Sequence, residues 1–279
     1  MWRFIIAFGG FVLAEIIVSF MYLVRQPAAI LPTQVIPHPT ARVYPAKPFI
    51  PSLPDIPKIF NSDHTWISTL PADRVRVLTV TGDIIPARSV NNAVMAKHTP
   101  LWPYEKIVPV MQQKKSDILF INLESPLIPD CPRTTEGMIF CGHSSNSEGL
   151  VYLKVDVAGL ANNHIGNYGT RGIDQTRQLL QSFNITPTAT NGAVIKEARG
   201  KRFAFLAYND IGKYEGVAPA DPVKIKQEIA DAKKEADIVV VQFHWGTEYQ
   251  SKPDARQSAL GHSAIDNGAD IVIGNHPHW

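Results

Sequence analysis

Seven side chains of the types that hold metal ions or move protons stand out by their placement: Asp83, Glu124, Asn163, His164, His244, His276 and His278. Each lies at or just beyond the end of a short apolar run. The runs are Leu78–Asp83, Ile118–Glu124, Val155–His164, Ile238–His244 and the stretch from Asp270 to His278. Neutral imidazole is the commonest metal ligand, and two imidazoles one residue apart, His276 and His278, can share a cation. A mixed carboxylate, amide and imidazole set suits divalent Mn, Zn, Fe or Co better than Ca, which prefers oxygen alone. A bridging carboxylate can hold two such ions about 3.5–4 Å apart, and a water between them becomes a nucleophile near neutral pH. Hydrolysis of a phosphate ester fits that arrangement. Each residue also has an ordinary reading. Asp83 after Gly82 could cap a turn, Glu124 could accept backbone N–H groups, Asn163 could fill a left-handed position, and His244 could be a satisfied core histidine. Packing alone explains any one of them, but not five strand-like runs that all deliver such groups. His98, His143 and His262 lie outside these exits and receive no role.

The elements that position these groups follow from periodicity. Short β-branched runs ending in Gly, Asn or Asp predict buried strands, and ligands gather outside the carboxyl ends of strands in open α/β sheets. Strands are predicted over residues 75–81, 118–122, 155–160, 202–208, 238–243 and 270–273. Helices are predicted over 104–115, with Pro109 troubling the middle, 147–154, with Ser147 as N-cap, 172–183, 221–235 and 254–267. Pro222 falls in the first turn of its helix, where its missing N–H is harmless. Alternating strands and helices give an α/β domain over residues 74–279.

The rest of the chain has a different character. Residues 4–24 are almost wholly apolar, with Arg3 before them and Arg25 after. At helical rise they span roughly 30 Å, the thickness of a bilayer core. With no small-x-small cleavage site after it, the segment 1–25 reads as an uncleaved single-pass transmembrane helix. Residues 26–73 are rich in proline up to Pro57, which excludes helix and central strand and gives an extended, semi-rigid linker. A stalk of this kind would hold the globular domain off a membrane, and the domain is expected outside the cytoplasm, although Arg3 on one side competes with Arg25, Arg42 and Lys47 on the other and leaves the orientation open. A formal net charge of +2 with scattered Lys and Arg argues against nucleic acid as a partner. Cys131 and Cys141 have no metal or redox spacing. In an oxidising compartment they would close a short disulfide loop worth about 2–3 kcal/mol, and in the cytoplasm they would be two thiols.

Five ordered motifs carry a resemblance: Gly82-Asp83; Asn122-Leu123-Glu124; Ala161-Asn162-Asn163-His164; His244-Trp245-Gly246-Thr247-Glu248-Tyr249; and Gly274-Asn275-His276-Pro277-His278. Together they resemble the bacterial capsule-synthesis family of CapA, or poly-γ-glutamate synthesis, proteins. That family falls in the calcineurin-like superfamily of metallo-dependent phosphatases. The resemblance implies a four-layer α/β/β/α sandwich with one or two divalent metals at its strand ends. By that pattern Asp83 and His278 serve the first ion, Glu124 bridges, and Asn163, His244 and His276 hold the second. His164 would be the general acid, Arg88 would hold an anionic substrate, and Glu248 would orient a ligand.

The chain departs from the pattern in three places. Ile85 stands where the superfamily's Asp-x-His motif has its histidine, so the first ion is expected to be one ligand short. Asn167 stands where the family commonly has Asp. The chain ends at Trp279, before the family's later motifs, so the sandwich is expected to be truncated at its C-terminus. Two functions remain open. One is metal-assisted hydrolysis or transfer at a phosphoester or related anionic bond. The other is non-catalytic binding or export of a polyanionic capsule polymer, beside other capsule-synthesis membrane proteins.

Overall fold

The computed structural model describes residues 6–7, 70–188 and 192–278. It divides into two compact units, Met1–Ile17 with Val77–Trp279, and Val18–Arg76. Of the second unit only residues 70–76 are described, and they hold one 3₁₀ turn, Ala72–Arg74. The expected anchor and linker therefore fall almost wholly outside the described residues. The exception is Ile6–Ala7 (β1), two residues paired in parallel with Ile273 and Gly274 as a strand, where a helix was expected. Among the described residues no helix is long and apolar enough to cross a membrane.

From residue 77 the chain runs through Leu78–Ile84 (β2), Arg88–Lys97 (α1), Val108–Lys114 (α2), Ile118–Leu123 (β3), Leu127–Ile128 (β4) and Gly142–His143 (β5). Asn146–Tyr152 (α3), Val157–Gly159 (β6), Gly169–Ser182 (α4), Thr186–Thr188 (β7), Val194–Ala198 (β8) and Lys201–Asn209 (β9) follow. Pro222–Glu235 (α5), Ile238–His244 (β10), Ala255–Asp266 (α6) and Ile271–Asn275 (β11) close the described chain. One sheet has the order β2-β3-β6-β7, parallel throughout; the other has β1-β11-β10-β9-β8, in which only β8 is antiparallel to its neighbour.

The two sheets each turn one face to helices and the other to each other. Successive strand residues point to opposite faces. In β3, Leu119, Ile121 and Leu123 join Val108 and Met111 of α2, Leu150 of α3 and Leu180 of α4. In β10, Val239, Val241 and Phe243 join Ile225 and Ile229 of α5 and Leu260 of α6. The alternate residues face inward: Phe120 of β3 meets Phe205 of β9 edge to face at 5.0 Å. Fully burying a side chain of this size stabilises by about 1.5–3 kcal/mol. All seven residues of β10 are buried, which is why its sequence, Ile-Val-Val-Val, is a continuous apolar run rather than an alternation. Both sheets end their parallel strands on the side where Asp83, Asn122, His244 and Asn275 stand.

The sheets meet closely where Gly159 of β6 lies against the buried Gln242 of β10. A Cβ added at Gly159 would fall on Gln242 Oε1, and Gln242 cannot swing away without losing its hydrogen bond to Asn275 Oδ1 at 2.8 Å. Gly159→Ala should therefore lower stability by about 1–3 kcal/mol, the usual cost of overpacking. A shift of the urea midpoint at unchanged slope measures this; an unmoved midpoint means the sheets part freely there.

Several expected elements are corrected. The first strand runs to Ile84, through Gly82 and Asp83, because a register shift between Val80 and Asp83 lets it keep pairing with β3. Pro109 is not mid-helix: residues 102–104 form a separate 3₁₀ turn, and Pro109 lies in the first turn of α2. The N-cap of α3 is Ser145, not Ser147, whose hydroxyl donates to Ser144 O at 2.8 Å. The β8–β9 hairpin was not expected. Its two-residue turn, Arg199 and Gly200, has both φ values positive, at 47° and 75°, and Gly is the residue that relieves such a turn.

Candidate metal centre

The strand ends converge. Asp83 lies in β2, Glu124 directly after β3, and Asn163 and His164 in the loop after β6. His244 ends β10, and His276 and His278 follow β11. His244 Nε2 stands 2.9 Å from Asn163 Oδ1 and 3.4 Å from Glu124 Oε1. His278 Nδ1 stands 3.0 Å from Asp83 Oδ2. Three groups bring their ligand atoms within 4.8 Å of one another: Glu124 with His244 and His276, Asp83 with Glu124 and His278, and Glu248 with His276 and His278. Glu124 belongs to two of them, the position a bridging carboxylate requires.

A frame of asparagines fixes these groups. Asn122 Nδ2 donates to Asp83 Oδ1 at 2.7 Å and lies 3.4 Å from His244 Nδ1. Asn275 Nδ2 also donates to Asp83 Oδ1, at 2.9 Å, and the His276 N–H donates to Asp83 Oδ2 at 3.2 Å. Asn162 Nδ2 donates to Asn122 Oδ1 and to Leu123 O, while its own Oδ1 accepts from the N–H groups of His164 and Ile165. One amide thus ties the β3 exit to the β6 exit. Sequence reasoning quoted Asn122, Asn162 and Asn275 within motifs but gave them no task; their signal was an Asn beside a ligand at three separate exits. His276 and His278 both have positive φ, 96° and 54°. For residues with a Cβ this costs on the order of 1–3 kcal/mol and persists where the surroundings enforce it.

The donor set fits a cation. Glu124 is fully buried, and neither of its carboxyl oxygens has a hydrogen-bond partner among the described residues; nor has His276 Nδ1. A buried carboxyl normally keeps partners, because an unpaired one costs heavily. Burial, with the charges of Asp83 and Glu248, pushes the Glu124 carboxyl up to about 9. Burial also opposes ionisation of Asp83, but His278, His244 and Asn122 outweigh it and hold that carboxyl at about 2. Burial holds His244 at about 4, and burial together with the neighbouring His244 holds His276 at about 4. Both are neutral at pH 7, as ligands must be. Asp83 raises His278.

These directions predict proton release. At pH 7 Glu124 carries a proton that a cation must displace, while His244 and His276 have none to give. Uptake of Mn²⁺ or Zn²⁺ should therefore release about one proton from Glu124, plus the fraction His278 still holds. Affinity should climb as pH rises towards 9. Calorimetric titration in two buffers of different ionisation enthalpy reads the number directly; no release at pH 7 would refute the protonated Glu124.

His164 stands beside the ligands on a separate support. Its ring stacks on Phe140, centroids 3.8 Å apart. Its Nδ1 lies 3.0 Å from Asn167 Oδ1, which also accepts the Phe140 N–H at 2.6 Å. A backbone N–H needs an acceptor, so the Asn167 oxygen faces both groups, His164 carries its hydrogen on Nδ1, and Nε2 is left for chemistry. Burial lowers the His164 pKa, although Asn167 pulls the other way. Phe140 precedes Cys141, which pairs with Cys131. Nothing in the sequence pointed to Phe140. Arg88, expected to hold an anion, is not placed among the ligands. Its guanidinium lies 4.8 Å from the Phe140 ring centre and donates to Gly137 O.

Residues 77–279 match the family described as bacterial capsule synthesis protein PGA_cap. The chain is 28% identical over 249 residues to the PGA biosynthesis protein CapA of Bacillus subtilis (strain 168), covering 80% of this chain and 65% of that one. It is 30% identical over 227 residues to the capsule biosynthesis protein CapA of Bacillus anthracis, covering 72% of this chain and 54% of the other. The chain thus spans between about half and two thirds of the length of these relatives. The matched region holds every ligand candidate from Asp83 to His278, and the chain belongs to the bacterial capsule synthesis PGA_cap family.

Proposed function

We propose that this chain acts in capsule synthesis as a membrane-anchored, metallophosphatase-like protein whose centre performs metal-assisted hydrolysis or transfer at a phosphoester or related anionic bond. The globular domain is read as a four-layer α/β/β/α sandwich of that superfamily. The observation that carries the reading is Glu124: a carboxyl buried without a partner, shared by two ligand clusters. Asp83, Glu124 and His278 would hold one ion, and Glu124, Asn163, His244 and His276 a second. When bound, divalent ions there polarise a phosphoryl oxygen and acidify water. The chain's own residues supply the rest. Asn122 and Asn275 hold the Asp83 carboxylate in place. Asn167 and Phe140 fix His164 with its hydrogen on Nδ1, so that Nε2, once it has taken up a proton, can pass that proton to the leaving oxygen.

The relatives' names motivate the substrate class, a polyanionic polymer such as poly-γ-glutamate or an anionic intermediate in its assembly. The apolar run 4–24 and the pairing of Cys131 with Cys141 favour a single-pass protein with its domain outside the cytoplasm. Other capsule-synthesis membrane proteins are the partners this placement suggests.

A second reading, a binding or export factor with a structural centre, draws on Ile85, which offers no donor where the superfamily has one. One experiment separates the two. The purified full-length chain is analysed for bound metal and assayed with bis(p-nitrophenyl) phosphate and added Mn²⁺. Metal with hydrolysis supports catalysis. Metal without hydrolysis of any phosphoester favours the polymer-binding reading. No metal under any loading condition rejects both forms of the centre.

A further inference from the structure

We infer that Glu248 is itself a metal ligand, completing the shell of the ion on the His278 side; this rests on the metal reading above. The first cluster offers that ion Asp83, Glu124 and His278. Residue 85, two places beyond Asp83, is an isoleucine and gives nothing. Three protein ligands leave a cation to fill its sphere with water. A further carboxylate stands next to that ligand set: Glu248 lies within 4.8 Å of the ligand nitrogens of His276 and of His278, the ligand the two clusters share.

The position is built into the backbone. The loop after β10 is stitched to the loop after β11 on both sides of Glu248. The Trp245 N–H donates to Asn275 O at 3.1 Å, and the Tyr249 N–H donates to Pro277 O at 2.7 Å. Between those bonds the chain turns at Gly246, φ 86°, where an added Cβ would strike the Gln257 side chain, and Tyr249 takes φ 60°. Positive φ at Tyr249 and at both histidines is the mark of a constellation the surroundings hold in place. Glu248 is half-buried between them rather than splayed into solvent.

A second observation points to a cation at the same place. The Glu124 oxygens, fully buried and without a partner among the described residues, lie in the cluster that shares His278 with Glu248. The Glu248 cluster shares His278 with that one but not Asp83 or Glu124, so Glu248 would reach the same ion by a small shift of its half-buried side chain. The charge of Glu248 reaches the whole centre, bearing on Glu124, His164, His244, His276 and His278. Two carboxylates, one bridging and one terminal, together with Asp83 would offset three of the four positive charges of two divalent ions. A residue that only oriented His276 or His278 would need a hydrogen bond to one of their ring nitrogens. Among the described residues the bond found at His278 goes to Asp83, and His276 Nδ1 has none.

The test uses Co²⁺ on the full-length chain, because the intensity and position of its visible bands report ligand number and type. Wild type should take up two ions. Glu248→Gln, which keeps shape and removes charge, should take up one tightly and the second about 10²-fold more weakly, with changed bands. Glu248→His should restore the second ion with bands shifted towards nitrogen ligation. Two ions of wild-type affinity with an unchanged spectrum in Glu248→Gln would overturn the inference and leave the metal centre standing. Weakened binding in Glu248→Gln with no recovery and no band shift in Glu248→His would also overturn it, marking Glu248 as a support. Wild type that takes up no Co²⁺ would overturn the metal reading and this inference with it.

Discussion

His244→Ala should lose metal and activity together. His244 is fully buried at the end of β10, with Nε2 facing Asn163 Oδ1 and Glu124 Oε1. It joins the second sheet to the first sheet's ligands, as His278 does through Asp83. Its removal takes away one of the four groups proposed for the second ion and leaves Glu124 facing a void. Losing a partner outside the coordination shell ordinarily costs 10–100-fold in metal affinity. Losing a ligand should cost about 10²-fold or more. Elemental analysis after dialysis, beside phosphodiester turnover, reads both effects. Equal metal content in wild type and variant would remove His244 from the centre. Because the side chain is fully buried, circular dichroism and a melting curve must accompany the measurement. A native fold with an empty site is the expected pair.

The contrasting variant is His164→Ala. His164 is the neighbour of a ligand but is held by other groups, the Phe140 ring and the Asn167 oxygen. Metal content should stay at the wild-type level. Turnover should fall by about 10²–10⁴, the worth of a positioned acid or base. The loss should shrink for a substrate with a very acidic leaving group, which needs no proton. Metal loss in His164→Ala would mean that the imidazole ligates after all. Undiminished turnover at full loading would move the proton transfer elsewhere.

The site was more legible in the sequence than its surroundings. Metal chemistry restricts residue types severely, so Asp83, Glu124, Asn163, His244, His276 and His278 stood out at five strand ends, and the structure gathers them. What failed was whatever depended on another part of the chain. Asp83 was expected beyond its strand, but a shift between Val80 and Asp83 keeps it inside; a bulge is fixed by the partner strand, which local sequence does not show. Phe140 was invisible because its contact with His164 is set by the path of the loop it ends. The β8–β9 hairpin was an avoidable miss, since Arg199-Gly200 between alternating runs is a turn signal. The stretch expected to be a membrane helix lies outside the described residues except for Ile6–Ala7.

The ring of Phe140 lies on His164, and the next residue, Cys141, is bonded to Cys131. The redox poise of the compartment where the protein matures thus reaches the imidazole without touching a ligand. Protein produced in a reducing cytoplasm would have its thiols apart, its loop released and Phe140 free to leave the stack. Its ligand set would stay intact while turnover falls. A negative substrate screen on such material would then reflect the host rather than the protein. Screens for the natural substrate belong on protein exported through an oxidising space, with the free-thiol count reported beside the rate.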